Sequence, residues 1–193
     1  TKLAGDLTGK WIYNVHRLDS KTSGVIILAF SSEIAHELTL QFERKEVSKT
    51  YYAVVQGIPG DGVFNDKVLV KKKTKFKKSA ITHFKTLNSI TTNISYKEKE
   101  NINLSLVEIH PETGRWHQIR QHFARNRFDI LGDSHHGDFT LNKIVTQLTG
   151  IKRLYLHAEK IEFIHPITTT PIKIVSEIPA EFNLVFQLPE LNQ

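Results

Sequence analysis

The sequence predicts an α+β domain with a mixed, mostly antiparallel β-sheet core and flanking helices. Three observations carry this expectation. Strand-like segments dominate the chain. Only two or three helical patterns stand among them. No repeat, low-complexity linker or composition break divides the 193 residues, so a single domain over 1–193 is expected.

Taken in order, residues 1–11 are polar and glycine-containing and read as a loop or frayed terminus. Gly24 to Phe30 (GVIILAF) is a continuous apolar run of strand length, expected to be buried on both faces. Ser31 and Ser32 offer an N-cap, Glu33 favours the first turn, and Ile34, Leu38 and Phe42 follow at helical spacing. A helix over 32–45 is therefore expected. Thr50 to Gly57 (TYYAVVQG) is β-rich, and Gly57 to Gly62 (GIPGDG) is a turn cluster. Residues 63–70 and 80–88 read as two strands around a basic loop, and 103–109 as another strand. Pro111 and Gly114 mark a turn, with Thr113 or Gly114 able to open a helix. The stripe Trp116, Ile119, Phe123 follows it. Segments 153–165 and 171–176 read as further strands.

Composition bounds the function. No apolar run approaches the roughly 18 residues a membrane helix needs, so no membrane partner is expected. The absence of cysteine rules out disulfides and thiolate metal sites, and fits a reducing cytoplasm. A formal net charge of +6 and a pI near 9.4 favour a polyanionic partner. The chain starts at Thr1 and holds no methionine, so a missing N-terminal segment is expected. Nothing marks a subunit interface, and a monomer is expected.

Two polar clusters stand out. The first is His16-Arg17-Leu18-Asp19-Ser20-Lys21-Thr22-Ser23-Gly24, directly before the apolar run. Loops at strand ends commonly carry catalytic groups. With Arg17 and Lys21 on either side, Asp19 should favour its ionised form. The same spacing fits an aspartate that merely caps a turn. The second cluster is His110 to Arg120 (HPETGRWHQIR). His117 and Arg120 are three apart and share a helical face. An inward Arg120 needs an anion, and Asp19 is a natural partner; a wet basic helix face is the alternative. Lys71 to Lys78 holds six lysines in eight residues. It reads either as a solvated hairpin tip or as a phosphate-contacting loop, with Lys73 and Lys75 facing the polyanion and Phe76 stacking. His135 and His136, with Asp133 and Asp138, come nearest to a metal group. Adjacent side chains diverge and no HExxH spacing occurs, so no metal is expected. The chain also lacks a Walker loop, GxGxxG and GxSxG.

Together the clusters resemble the RluA-type pseudouridine synthases. His16 to Gly24 (HRLDSKTSG) is similar to that family's signature, and Lys49 to Gly57 (KTYYAVVQG) to its second motif. Gly114 to Arg120 (GRWHQIR) followed by Ile130-Leu131-Gly132-Asp133 resembles the third. The motifs occur in the family's order, and the likeness spans roughly residues 12–178. Three departures stand: no Lys-Pro segment precedes the first motif, Phe128-Asp129 replaces a His-Pro pair, and Trp116 replaces a smaller or charged residue.

The resemblance implies the family's catalytic-domain fold and an RNA substrate whose uridine becomes pseudouridine. The glycosidic bond from C1′ to N1 breaks, the base turns, and C1′ rejoins through C5. No redox change occurs, so no cofactor is expected. Asp19, Tyr51 and Arg120 are then the catalytic residues. Asp19 works at the sugar or the base, Tyr51 stacks on uracil or serves the C5 proton, and Arg120 orients Asp19. His16, Arg17, Thr22, Gly114, Arg115, His117 and Gln118 are expected to bind substrate, Arg17 by helping extrude the base. Three routes stay open to Asp19: attack on C1′, attack on the base, or removal of a sugar proton. Arg125 and Arg127 are expected, from charge alone, to add phosphate contacts. The tail of the third motif resembles the tRNA-directed branch acting on uridine 65, near the junction of the T and acceptor stems. An rRNA-directed synthase and a non-catalytic RNA-binding module are the rival readings.

Overall fold

The computed structural model describes residues 2–71 and 75–187. Among these residues, eleven strands and five helices follow in chain order. They are α1 (Lys2–Thr8), β1 (Tyr13–Asn14), β2 (Ser23–Gly24), β3 (Leu28–Ala29), α2 (Ser32–Glu43) and β4 (Ser48–Gln56). Next come β5 (Asp61–Phe64), β6 (Lys67–Leu69), β7 (Lys77–Ser79), β8 (Thr82–Thr91), β9 (Asn103–Pro111) and α3 (Gln118–Arg125). The chain closes with α4 (Phe139–Thr149), β10 (Leu156–Ile164), β11 (Pro171–Val175) and α5 (Ala180–Leu184).

The main sheet runs β11-β10-β4-β9-β8-β5, with β2 also pairing β10. All its pairings are antiparallel except β2 with β10, so the mixed, mostly antiparallel α+β expectation holds. β4 lies at the middle, and Ala53 to Gln56 are buried in succession, as befits a strand covered on both faces. Val54 and Leu104 pack with Leu141, Val145, Tyr155 and Phe182 of one layer. Ala53, Val55, Val107 and Ile109 pack with Ile119 and Phe123 of α3 on the other. A third cluster joins Leu38 of α2 to Ile27, Val47, Ile161 and Phe163.

α2 forms as its pattern demands, with the Ser31 hydroxyl accepting from the Ile34 N–H at 3.3 Å. Other expectations need correction. Residues 2–8 are helical. The Gly24–Phe30 run is not one buried strand, because its ends pair with different partners: β2 runs parallel to β10, while β3 is antiparallel to β1. Between them Ile26 is 46% exposed. α3 starts later than Gly114, with His117 as N-cap at φ 47 and no side-chain cap. The segments 63–70 and 80–88 divide into β5 and β8 of the main sheet and a separate β6–β7 hairpin.

Gly24 fixes the first motif to the sheet. Its φ is +115, and a Cβ there would lie 2.0 Å from the Ala158 carbonyl oxygen, which accepts from Val25 N–H at 2.9 Å. Ala158 in turn faces Tyr51. Gly24→Ala therefore strains φ and drives β2 off β10. The expected loss is roughly 2 kcal/mol or more of stability, read by thermal unfolding; a melting temperature equal to the parent's would refute it.

Candidate active site

Four segments converge on one cleft of about 470 Å³. The β1–β2 loop brings His16, Arg17, Asp19 and Thr22. β4 brings Lys49 and Tyr51, which stand on one face of the strand because they are two residues apart. The β9–α3 turn brings Gly114, Arg115 and His117, and Gln118 opens α3. Arg120 stands behind Asp19, outside the lining, with its side chain 4% exposed.

Arg120 holds two carboxylates. Its Nε and Nη2 donate to Asp133 Oδ2 and Oδ1, both at 2.7 Å, a bidentate fork. Its Nη1 donates to Asp19 Oδ2 at 3.3 Å. The expected Asp19 pair thus exists, but the stronger partner is Asp133. The Asp133 side chain is 1% exposed. Burial works to raise its carboxyl, yet Arg120 and the backbone N–H groups of His135 and His136 hold it at about 2.

Asp19 behaves otherwise. Burial raises its carboxyl above the usual value and outweighs the pull of Arg120 and Arg17. This reverses the expectation that flanking cations favour ionisation. Lys21 instead donates to Ser134 Oγ at 3.2 Å. The backbone turns sharply here, with Thr22 N–H donating to Asp19 O at 2.9 Å. The buried Thr22 hydroxyl has no partner among the described residues.

Tyr51 lines the wall near Asp19. Burial, then the Asp19 charge, pushes its phenol up to about 12, so it is protonated at neutral pH. It offers a flat face and an O–H, not a phenolate base.

His117 receives a hydrogen bond from Arg120 Nη1 at 3.0 Å through Nε2, so its proton sits on Nδ1. That N–H donates to His136 Nε2 at 3.0 Å, and the ring stacks on Trp116 at 3.9 Å. Burial, then Arg120, lowers it to about 4. His117 is therefore a neutral prop between Arg120 and His136. His16 is also neutral: its Nε2 accepts from Ile27 N–H at 2.9 Å, and burial, then Lys49, lowers it to about 4. It ties the loop to the run before β3. The Gln118 amide bonds Thr113, Arg115 N–H, Ile81 O and Thr82, and so braces the cleft floor. Arg17 and Arg115 are exposed on the rim.

The basic hairpin stands apart from the cleft lining. Lys75 is exposed there, and Lys73 lies outside the described residues. The hairpin docks on α3: Leu69 and Gln121 exchange two bonds, of 2.9 and 3.1 Å. Arg125, expected to face phosphate, donates to Lys67 O and to Gln121 and so braces the hairpin. Among the described residues no group of three or more His, Asp or Glu could hold a metal ion, and no helix is long and apolar enough to cross a membrane.

Sequence reasoning missed the role of Asp133, which its place in the third motif marked. It also missed α4, whose Asn142 accepts from Gly132 N–H at 2.6 Å and donates to Asp133 O at 3.0 Å. α4 thereby secures the loop that carries Asp133.

The cleft thus sets one carboxylate, Asp19, beside the Tyr51 ring and among basic side chains. The model of the RNA pseudouridylate synthase family matches residues 2–125. The tRNA pseudouridine synthase C of Yersinia pestis is 40% identical over 84% of this chain and 67% of its own length. That of Pasteurella multocida is 38% identical over 92% and 77%. In fold, the chain resembles human RNA pseudouridylate synthase domain containing 4. The TM-score is 0.73 at 24% identity, covering all of this chain and 82% of the other. The chain belongs to the RNA pseudouridylate synthase family, RluA type, and is an isomerase acting on uridine in RNA.

Proposed function

We propose that this chain is a single catalytic domain that converts a uridine of tRNA, at position 65, to pseudouridine in the cytoplasm, as a monomer. The tRNA assignment is supported by the relatives of Yersinia and Pasteurella, whose names state a tRNA activity. The observation that carries the chemistry is the Asp19 carboxylate, oriented by Arg120 at 3.3 Å on the wall of the cleft.

Asp19 is the catalytic carboxylate. It must be ionised to act as nucleophile or base, and Arg120 fixes the direction of its lone pairs. Tyr51 takes the uracil face, so the detached base stays in the pocket while it turns. A paired uridine must leave its helix to reach Asp19, which costs a few kcal/mol of unstacking. Arg17 and Arg115 on the rim, with Lys73 and Lys75 of the basic segment, offset this by binding phosphate. The reaction conserves atoms and electrons, so these residues act without a cofactor.

Release of tritium from RNA labelled at uracil C5 tests the reading, with total tRNA and rRNA assayed side by side. Release from tRNA alone is expected. Release from rRNA alone would overturn the tRNA assignment, and release from neither would overturn the synthase assignment.

A further inference from the structure

Lys49 is a cation in the cleft that the chemistry above leaves unused. It lines the pocket two residues before Tyr51 on the same face of β4, about 7 Å along the strand. Two neighbouring cations already have anions: Arg120 holds two carboxylates, and Lys45 faces Glu112 at 3.6 Å. Lys49 is half-buried, and among the described residues no carboxylate lies within ion-pair distance of it. Burial alone accounts for the fall of its ammonium to about 8, and its charge helps keep His16 neutral. A cation so placed costs the fold stability unless an anion arrives. Besides Tyr51 and His117, the titratable groups lining the same cleft are His16, Arg17 and Asp19 of the loop, Glu43 and Lys45 beside the end of α2, and Glu112 with Arg115 past β9. The carboxylate of the centre, Asp19, is already held by Arg120.

We propose that Lys49 binds a backbone phosphate next to the extruded uridine, and so sets how deeply the nucleotide enters the cleft. The inference rests on the synthase reading. A phosphate of the same strand then supplies the anion that Lys49, on the cleft wall with Asp19 and Tyr51, lacks. A lysine serves a phosphate as a point charge, needing no fork geometry. Phosphate would also raise the ammonium again, so RNA binding by this group draws in a proton when the free enzyme is above pH 8.

The test compares Lys49→Met and Lys49→Arg with the parent on tRNA, by tritium release and by filter binding over a range of salt. Losing one charge-assisted contact should raise KM and Kd roughly 10- to 100-fold. The slope of log affinity against log salt should shrink by roughly 0.7–0.9. The kcat should change little, and Lys49→Arg should restore most of the affinity. The Met variant should melt no lower than the parent at pH 7, because the charged form costs stability below about pH 8. An unchanged salt slope, or a fall in kcat with KM unchanged, would overturn the proposal. If the parent itself releases no tritium, the synthase reading fails, while filter binding still judges Lys49 separately.

Discussion

Asp19→Asn should lower turnover by at least ~10⁴-fold while leaving RNA affinity within about tenfold of the parent. The substitution keeps size and shape and removes the charge and nucleophilic oxygen. Single-turnover tritium release on saturating RNA measures it, and residual activity above about 1% would end the case for Asp19 as the centre. The fold gives a second readout. Burial raises the Asp19 carboxyl, so its charged form is the costly one in the folded state. Stability is then fully present below the ordinary aspartate value and declines as pH rises through the raised value. At neutral pH the Asn variant should melt at or above the parent's temperature. Loss of activity without loss of stability separates a catalytic group from a structural one. In the parent, the acid limb of kcat/KM should lie above the ~3.9 of an unperturbed aspartate. A limb at or below that value would mean that the arginine outweighs burial.

Much of this centre was legible in the sequence because short motifs put polar residues where a globular chain has little use for them. Asp19, Tyr51 and Arg120 carry the resemblance, and the fold brings Asp19 and Arg120 to 3.3 Å. What local reading could not supply was burial. Arg17 and Lys21 flank Asp19 in sequence, but Lys21 turns away to Ser134, and desolvation sets the sign of the Asp19 shift. Strand partners were equally invisible. GVIILAF has the composition of one strand, yet β2 and β3 pair with strands from opposite ends of the chain. The α4 helix was readable: Asp138 caps its start by accepting from Thr140 and Leu141 N–H, and Gly150 ends it at φ 70. His117 gave no cap signal because α3 begins on a left-handed residue held by Arg120 and His136.

Asp133→Ala should be the most destabilising change in the centre. It strips both short bonds from a guanidinium that is 4% exposed and leaves it, among the described residues, only the Asp19 carboxylate at 3.3 Å. It also removes the acceptor for His135 and His136 N–H. Breaking one side of a buried pair costs about 3–5 kcal/mol, or roughly 6–20 °C of melting temperature in a domain of this size. A loss under ~1 kcal/mol would refute the pair's structural role. Acid unfolding supplies an independent check. Asp133 is held at about 2, below an unfolded aspartate near 3.9. Its contribution is present above pH ~4 and is lost as pH falls toward 2, so the variant should lack that part of the parent's acid sensitivity. Asp133→Asn keeps the shape and one acceptor, and permits a kinetic reading where Ala does not fold. Removing the Asp133 charge frees the full Arg120 field for Asp19, and both changes favour the Asp19 carboxylate. The acid limb of kcat/KM should therefore move to lower pH even as the less firmly held Arg120 reduces kcat. A limb that stays in place would show that Asp133 does not act on Asp19 through Arg120.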